Sequence, residues 1–117
     1  MEKDTRPWGD YKVLDQSEIT SHYPYKVKTI RVKPNQKFSL QYHKERVEHW
    51  IVVDGEGVAT LGDDMIPLSR GKYIFVNYNQ IHRITAGSHG ITFVEVQHGS
   101  QCSETDIVRL EDDFGRL

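Results

Sequence analysis

Four residues in the middle of this chain carry side chains that bind divalent metals: Gln41, His43, Glu48 and His82. In the run Phe38-Ser39-Leu40-Gln41-Tyr42-His43, strand alternation puts Phe38, Leu40 and Tyr42 on one face and Ser39, Gln41 and His43 on the other. The first face is apolar and the second polar. In a small closed barrel the polar face lines a cavity, where an imidazole and an amide oxygen can converge on one point. Glu48 opens the apolar stretch 48–53, and His82 opens another strand after the loop Asn77-Tyr78-Asn79. Two imidazoles, a carboxylate and an amide carbonyl suit zinc, iron or manganese, with a coordination position left for substrate. A lone strand histidine is more often a surface or hydrogen-bonded residue, so the combined spacing carries this reading.

Such a set needs short strands joined by tight turns, and the chain supplies both. Turn-forming clusters recur at Pro34-Asn35, Asp54-Gly55-Glu56-Gly57, Gly62-Asp63-Asp64, Ser69-Arg70-Gly71, Asn77-Tyr78-Asn79 and Ala86-Gly87-Ser88-His89-Gly90. Between them, residues 25–32, 38–43, 50–53, 73–76 and 91–96 are rich in β-branched and aromatic types. The pattern predicts an all-β barrel or sandwich in one domain: a core over about residues 24–99, an N-terminal latch at 6–14, and a C-terminal strand or short helix at 104–116. The acidic end 104–113 reads as a solvated face. At 117 residues, 37% hydrophobic and 27% charged, the chain has the size and composition of one ordinary globular domain.

Charge and cysteine content narrow the functional classes. The 15 Lys and Arg against 17 Asp and Glu leave a formal charge of -2, which provides no global basic field for nucleic acid or an anionic membrane. An anionic ligand therefore needs a local basic pocket. The single cysteine, Cys102, excludes an intrachain disulfide, and the polar opening Met1-Glu2-Lys3-Asp4-Thr5-Arg6 lacks the apolar core of a secretory signal. Both features point to a cytoplasmic protein. No apolar run is long enough to suggest a membrane-spanning helix.

Asn35, Gln41, His43, Glu48 and Gly55 lie at the offsets of the first cupin motif, and Gly71, Asn77, Asn79, His82 and Ala86 at those of the second. Asn35 and Asn79 stand where glycine is usual, and asparagine also tolerates a left-handed backbone. Asn77 replaces a proline and Ala86 an asparagine. A narrower resemblance spans residues 6–116: the chain resembles the C-terminal isomerase domain of type II phosphomannose isomerases, which usually carry a guanylyltransferase domain ahead of it. The matching stretches include Arg6-Pro7-Trp8-Gly9, residues 28–34, Ser39-Leu40-Gln41 with His43, Arg46, Glu48-His49-Trp50 and Val94-Glu95-Val96-Gln97. Asp106-Ile107-Val108-Arg109 and Asp113-Phe114-Gly115-Arg116 match as well. In that family glutamine replaces the first cupin histidine, as Gln41 does here. The resemblance implies a single cupin (double-stranded β-helix, or jelly-roll) barrel. It also implies one divalent ion on Gln41, His43, Glu48 and His82, with zinc favoured over manganese, iron or nickel.

The activity implied is interconversion of mannose 6-phosphate and fructose 6-phosphate through an enediolate. A base must move a proton between neighbouring carbons, and the candidates are Glu95, His49 and a metal-bound water. Glu95 shares a face with Phe93 and Gln97, whereas alternation puts His49 opposite Glu48 and Trp50. Lys28 alternates with Ile30 and Val32 and is the expected phosphate contact. Arg46 and Arg83, close to Glu48 and His82, are candidates for phosphate binding or transition-state charge. Arg6-Pro7-Trp8-Gly9 is expected to latch over the barrel. Trp50, Phe38, Leu40 and Tyr42 are expected in the core or at a homodimer contact. Rival readings are a non-catalytic sugar- or sugar-nucleotide-binding cupin and another cupin reaction, such as epimerisation or iron-dependent oxygenation. Guanylyl transfer is not expected, because 117 residues cannot hold the nucleotide-binding half and no Gly-rich phosphate loop is present.

Overall fold

A computed structural model describes residues 3–18 and 20–115. Arg116, the end of the expected C-terminal segment, lies outside the described residues. Among the described residues, nine antiparallel strands form: β1 (Lys3–Arg6), β2 (Gly9–Gln16), β3 (Tyr25–Val32), β4 (Leu40–Tyr42), β5 (Arg46–Leu61), β6 (Asp64–Leu68), β7 (Tyr73–Val76), β8 (His82–Gly99) and β9 (Val108–Glu111). They follow the order β1-β2-β3-β8-β4-β9, with β5 pairing β6, β7 and β8, and the sheet curls into the expected all-β jelly-roll barrel. No helix among the described residues is long and apolar enough to cross a membrane.

Two turn clusters work differently from the sequence expectation. Asp54-Gly55-Glu56-Gly57 and Ala86-Gly87-Ser88-His89-Gly90 bend strands without ending them, so 50–53 and 91–96 are parts of the long strands β5 and β8. The two bends face each other: Asp54 pairs with Thr92, Gly55 with Ile91 and Gly57 with Ala86, with register shifts at 52/54 and 55/57. Bulges and positive-φ glycines turn a strand through a corner while keeping its ladder. Gly55 has φ 80°, and a Cβ there would run into the carbonyl oxygen of Gly90. Both β5 and β8 thereby serve two layers, and β8 lies between β3 and β5 on one side of the corner.

The ends of the chain join this sheet. The N-terminal latch is a β1–β2 hairpin turning at Pro7 and Trp8, and β2 pairs along β3. Trp8 is buried and packs edge-on against Phe38 with ring centroids 5.6 Å apart. At the other end, the short helix admitted for 104–116 is absent among the described residues: two turns flank strand β9, which pairs with β4. Leu40 and Tyr42 are only half-buried, while Phe38 and Trp50 are in the core. Asn35 and Asn79 both take φ 60°, the left-handed conformation expected of them.

The inward rows of three neighbouring strands change character along their length. In β3 the row runs Val32, Ile30, Lys28; in β8, Ile91, Phe93, Glu95, Gln97; in β5, Val52, Trp50, Glu48. All these residues are buried. The register pairs Ile30 with Phe93, Lys28 with Glu95, and Lys26 with Gln97; on the other edge of β8 it pairs Phe93 with Val52, Glu95 with Trp50, and Gln97 with Glu48. The apolar ends form a floor and the ionisable ends meet above it.

Gly55→Ala should lower unfolding free energy by about 1–3 kcal/mol, because the strained φ and the Gly90 carbonyl act together. Gly62→Ala, at φ 61° with open space around it, should cost only about 1 kcal/mol. Urea titration of both variants checks this, and equal losses would show that the corner is not a close backbone contact.

Candidate metal centre and adjoining cavity

Gln41 and His82 are directly paired between β4 and β8, His43 follows β4, and Glu48 lies on the first turn-free stretch of β5. These four residues converge. One ligand atom from each of His43, Glu48 and His82 lies within 4.8 Å of the others. His43 Nε2 is 3.3 Å from Glu48 Oε2, His82 Nε2 is 3.8 Å from Glu48 Oε1, and Gln41 Nε2 is 3.5 Å from His82 Nε2.

The tautomers are fixed from behind. His43 Nδ1 donates to the carbonyl of Asp106 at 2.6 Å, and His82 Nδ1 donates to the carbonyl of Gln80 at 2.9 Å. Both Nε2 lone pairs therefore face the shared space, the arrangement that orients imidazoles for a metal. Burial pushes both imidazoles toward the neutral form, His82 down to about 4 despite the opposing pull of Glu48. Glu48 is buried too, yet the neighbouring His43 imidazole and Arg46 guanidinium hold its carboxyl below the usual range. Ser39 Oγ donates to Gln41 Oε1 at 2.6 Å, so the amide turns its NH2 toward His82; a hydroxyl accepts as readily as it donates, and the amide can reverse to offer its oxygen. Neutral imidazoles, an ionised carboxylate and an adaptable amide fit a divalent cation.

The other predicted residues divide between the cavity and the outside. A cavity open to solvent is lined by Gln41, His43 and Glu48 at one end and by Lys28, Glu104 and Arg6 among others. Glu95 lines it between them and is buried, which pushes its carboxyl up to about 8, with Glu48 nearby adding to the effect. Lys28 Nζ sits 4.0 Å above the Tyr11 ring and 2.7 Å from Glu104 Oε2. Arg46 also lines the cavity, donating to Glu48 Oε2 at 3.0 Å and to the Ser103 carbonyl at 2.9 Å, so its guanidinium braces the ligand carboxylate.

Two candidates lie elsewhere. Arg83 does not line the cavity; it donates to the Phe38 carbonyl at 2.8 Å and to Glu111 through both terminal nitrogens at 3.2 Å, which ties β9 to the barrel in place of the expected catalytic part. His49 is on the outer face, where Nδ1 meets Tyr73 Oη at 2.6 Å and Nε2 meets His98 Nε2 at 2.9 Å, so it cannot act as a base in the cavity.

The sequence reading missed several contributors. Trp50 does more than fill the core: its Nε1 donates to Glu48 Oε1 at 3.2 Å and to Glu95 Oε1 at 3.1 Å, bridging two buried carboxyl groups. Glu104 and Asp106 belong to the acidic end read as a solvated face. Glu104 is instead half-buried on Lys28 and Lys26, and the Asp106 carboxylate accepts from the backbone N–H of Lys44 and Glu45 while its carbonyl holds His43. Composition marked this run as acidic, and nothing in its spacing marked the loop's return over the cavity.

Comparison with known proteins agrees with this geometry. Residues 1–112 match the family model described as mannose-6-phosphate isomerase C-terminal. The xanthan biosynthesis protein XanB of Xanthomonas campestris pv. campestris is 40% identical over 112 residues, covering 95% of this chain and 23% of that protein. A mannose-1-phosphate guanylyltransferase of Salmonella muenchen is 36% identical over 113 residues, covering 96% of this chain and 23% of that protein. The chain thus spans about a quarter of the length of these relatives. A cupin-2 domain from Rhodospirillum rubrum superposes with a TM-score of 0.67 at 15% identity, covering 83% of this chain and 67% of that one, which supports the cupin fold.

The protonation states predict a stability optimum for metal-free protein. His82 binds its proton less tightly when folded (about 4) than at its ordinary 6.5, and His43 is lowered in the same direction, so stability falls as pH drops below about 6.5. Glu95 binds its proton more tightly when folded (about 8, against 4.5), so its contribution is full below about 4.5 and is lost as pH rises to about 8, and it partly offsets the imidazoles at acid pH. Thermal midpoints should therefore peak near neutrality. Glu95→Gln should flatten the alkaline limb and His82→Gln shrink the acid one; limbs unchanged in both variants would contradict these assignments.

Proposed function

The chain belongs to the mannose-6-phosphate isomerase C-terminal family, and from that premise we propose that it interconverts mannose 6-phosphate and fructose 6-phosphate in this cavity. The observation that carries the reading is the row Lys28–Glu95–Trp50 lying beside the row Lys26–Gln97–Glu48 on the inner face. It places a carboxyl group between a cationic end and the His43–Glu48–His82 cluster.

Lys28 binds the phosphate of the open-chain sugar, taking a phosphate oxygen in exchange for Glu104. The carbonyl end then reaches Gln41, His43, Glu48 and His82. Gln41, His43, Glu48 and His82 would hold a divalent ion, which would supply Lewis-acid stabilisation of the developing negative charge. Glu95 takes the proton from C2 of the aldose, leaving the electron pair in the C1–C2 enediolate, and returns it to C1, while the C2 hydroxyl proton passes to O1, giving the ketose. Trp50 and Gln97 hold the Glu95 carboxyl in place through donors at 3.1 and 2.7 Å. Arg46 keeps Glu48 oriented and adds positive charge beside the developing oxyanion. Zinc is the favoured ion for a set with two imidazoles, and manganese, iron and nickel fit the same donors.

A coupled assay for fructose 6-phosphate tests this with protein stripped of metal and reloaded with single divalent ions. Turnover should vanish on stripping and return with the working ion. His82→Ala should lose both bound metal and turnover. Glu95→Gln should keep its metal and lose about 10²- to 10⁴-fold in kcat, the usual worth of a positioned base. Lys28→Ala should mainly raise KM. Silence with every ion, in folded and metal-loaded protein that mannose 6-phosphate still stabilises against heat, would replace this reading with a sugar-binding cupin.

A further inference from the structure

Gln97 has a polar atom that the mechanism above leaves unused. Its side chain is 0% exposed, and it lines the cavity. Nε2 donates to Glu95 Oε2 at 2.7 Å, which fixes the direction of the amide. Glu95 in turn takes the Trp50 N–H on its other oxygen, so the three groups lock one another. Oε1 of Gln97, at the far end of that amide, is a buried acceptor to which no described protein group donates. Buried side-chain acceptors are nearly always paired, and leaving one unmade costs the full desolvation of the group.

The register says where a partner would come from. Gln97 is paired with Glu48 on one side and with Lys26 on the other, so it lies midway between the Glu48 carboxylate and Lys26, which shares Glu104 with the cavity-lining Lys28. Neighbouring strands are about 4.8 Å apart, which puts those two ends about 10 Å from each other across β8. A six-carbon sugar phosphate with its carbonyl at Glu48 and its phosphate at the lysines lays its middle carbons over Gln97. Those carbons carry hydroxyl groups, each with an O–H to donate.

We infer that Gln97 is a specificity-determining residue: its Oε1 accepts a hydrogen bond from one hydroxyl on carbons 3 to 5 of the bound sugar phosphate. The inference rests on the sugar-phosphate reading of the cavity. It assigns Gln97 two opposed tasks in one amide, positioning the Glu95 carboxyl with its nitrogen and reading the sugar with its oxygen. A site built to receive a hydroxyl rejects the analogue that lacks it far more strongly than an apolar pocket rejects a size change.

The test uses metal-loaded protein and measures calorimetric dissociation constants for mannose 6-phosphate and its 3-deoxy, 4-deoxy and 5-deoxy analogues, with turnover read separately. Wild type should bind one of the three deoxy sugars about 10- to 100-fold more weakly than the parent, as expected for an unmet buried acceptor. Gln97→Met, which keeps the side-chain length and removes both polar ends, should bind that analogue and the parent equally. A Gln97→Met protein that weakens all four sugars alike would overturn the inference and leave Gln97 a structural support of Glu95. If Gln97→Met does not fold, the wild-type series decides: indifference to all three deletions overturns the assignment, and a single sensitive position supports it. Absence of mannose 6-phosphate binding overturns it together with the sugar-phosphate reading. Binding with discrimination but without turnover would remove the isomerase reading and keep Gln97 as the residue that reads the sugar.

Discussion

The arrangement depends on an ionised carboxylate at Glu48 that is 2% exposed. Taking such a charge out of water costs several kcal/mol unless opposite charge and hydrogen-bond donors surround it. Arg46 and Trp50 donate to it, and His43 and His82 approach it with nitrogens at 3.3 and 3.8 Å. All four partners are themselves buried, and three are held from behind, His43 by Asp106, His82 by Gln80 and Arg46 by Ser103. The supporting groups come from loops far from Glu48 in sequence, so the strand order of the barrel is what makes the buried charge tolerable. Glu95 shows the complementary outcome: a second carboxyl group set beside Glu48, with the Trp50 N–H shared between them, keeps its proton to a higher pH.

The same strands supply both the hydrophobic core and the chemistry, and the boundary between the two is a position along each strand. Phe93, Val52 and Ile30 fill the floor, and one pleat repeat further on the same rows present Glu95, Trp50 and Lys28. Trp50 sits at the boundary and belongs to both parts. Its ring packs against Phe93 with centroids 5.4 Å apart, and its N–H reaches the two carboxyl groups. An indole suits that position because it buries a large apolar surface and still has one donor to place. The rigidity of the packed floor then passes to the groups above it through shared backbone, which is how a small barrel can hold titratable side chains in a fixed geometry.

Much of this was legible in the sequence because period-two alternation is local. Ser39, Gln41 and His43 had to share a face, Lys28 had to follow Ile30 and Val32 inward, and Glu95 had to share its side with Phe93 and Gln97. His49 was separable from Glu48 on the same ground, and its outer-face contacts with Tyr73 and His98 follow. What alternation cannot give is how a loop returns. Arg83 is next to His82 in the chain and therefore points to the other side of the sheet, where the β9 edge takes up its donors. Glu104 and Asp106 have the composition of a solvated end and acquire their roles only once the segment after β8 folds back over the cavity. The corner at Gly55 was misread for a similar reason: a glycine cluster signals that the chain must turn, and only pairing with Ile91 shows that it turns inside a continuous strand.

That returning loop has an electrostatic logic of its own. Lys28 is almost wholly buried, and Glu104 supplies the counter-charge that its burial requires. Under the isomerase reading, phosphate replaces one anion by another at the same ammonium, so the lysine is never left unpaired and need not be rehydrated during exchange. The carboxylate that is released is the exposed partner, with a third of its side-chain surface open to water, and it regains solvation when it leaves. Meanwhile the rest of the loop stays tied to Arg46 and His43 through the carbonyls of Ser103 and Asp106. One segment of chain therefore touches both ends of the cavity, Glu104 at the lysine and the Asp106 carbonyl at the His43 imidazole.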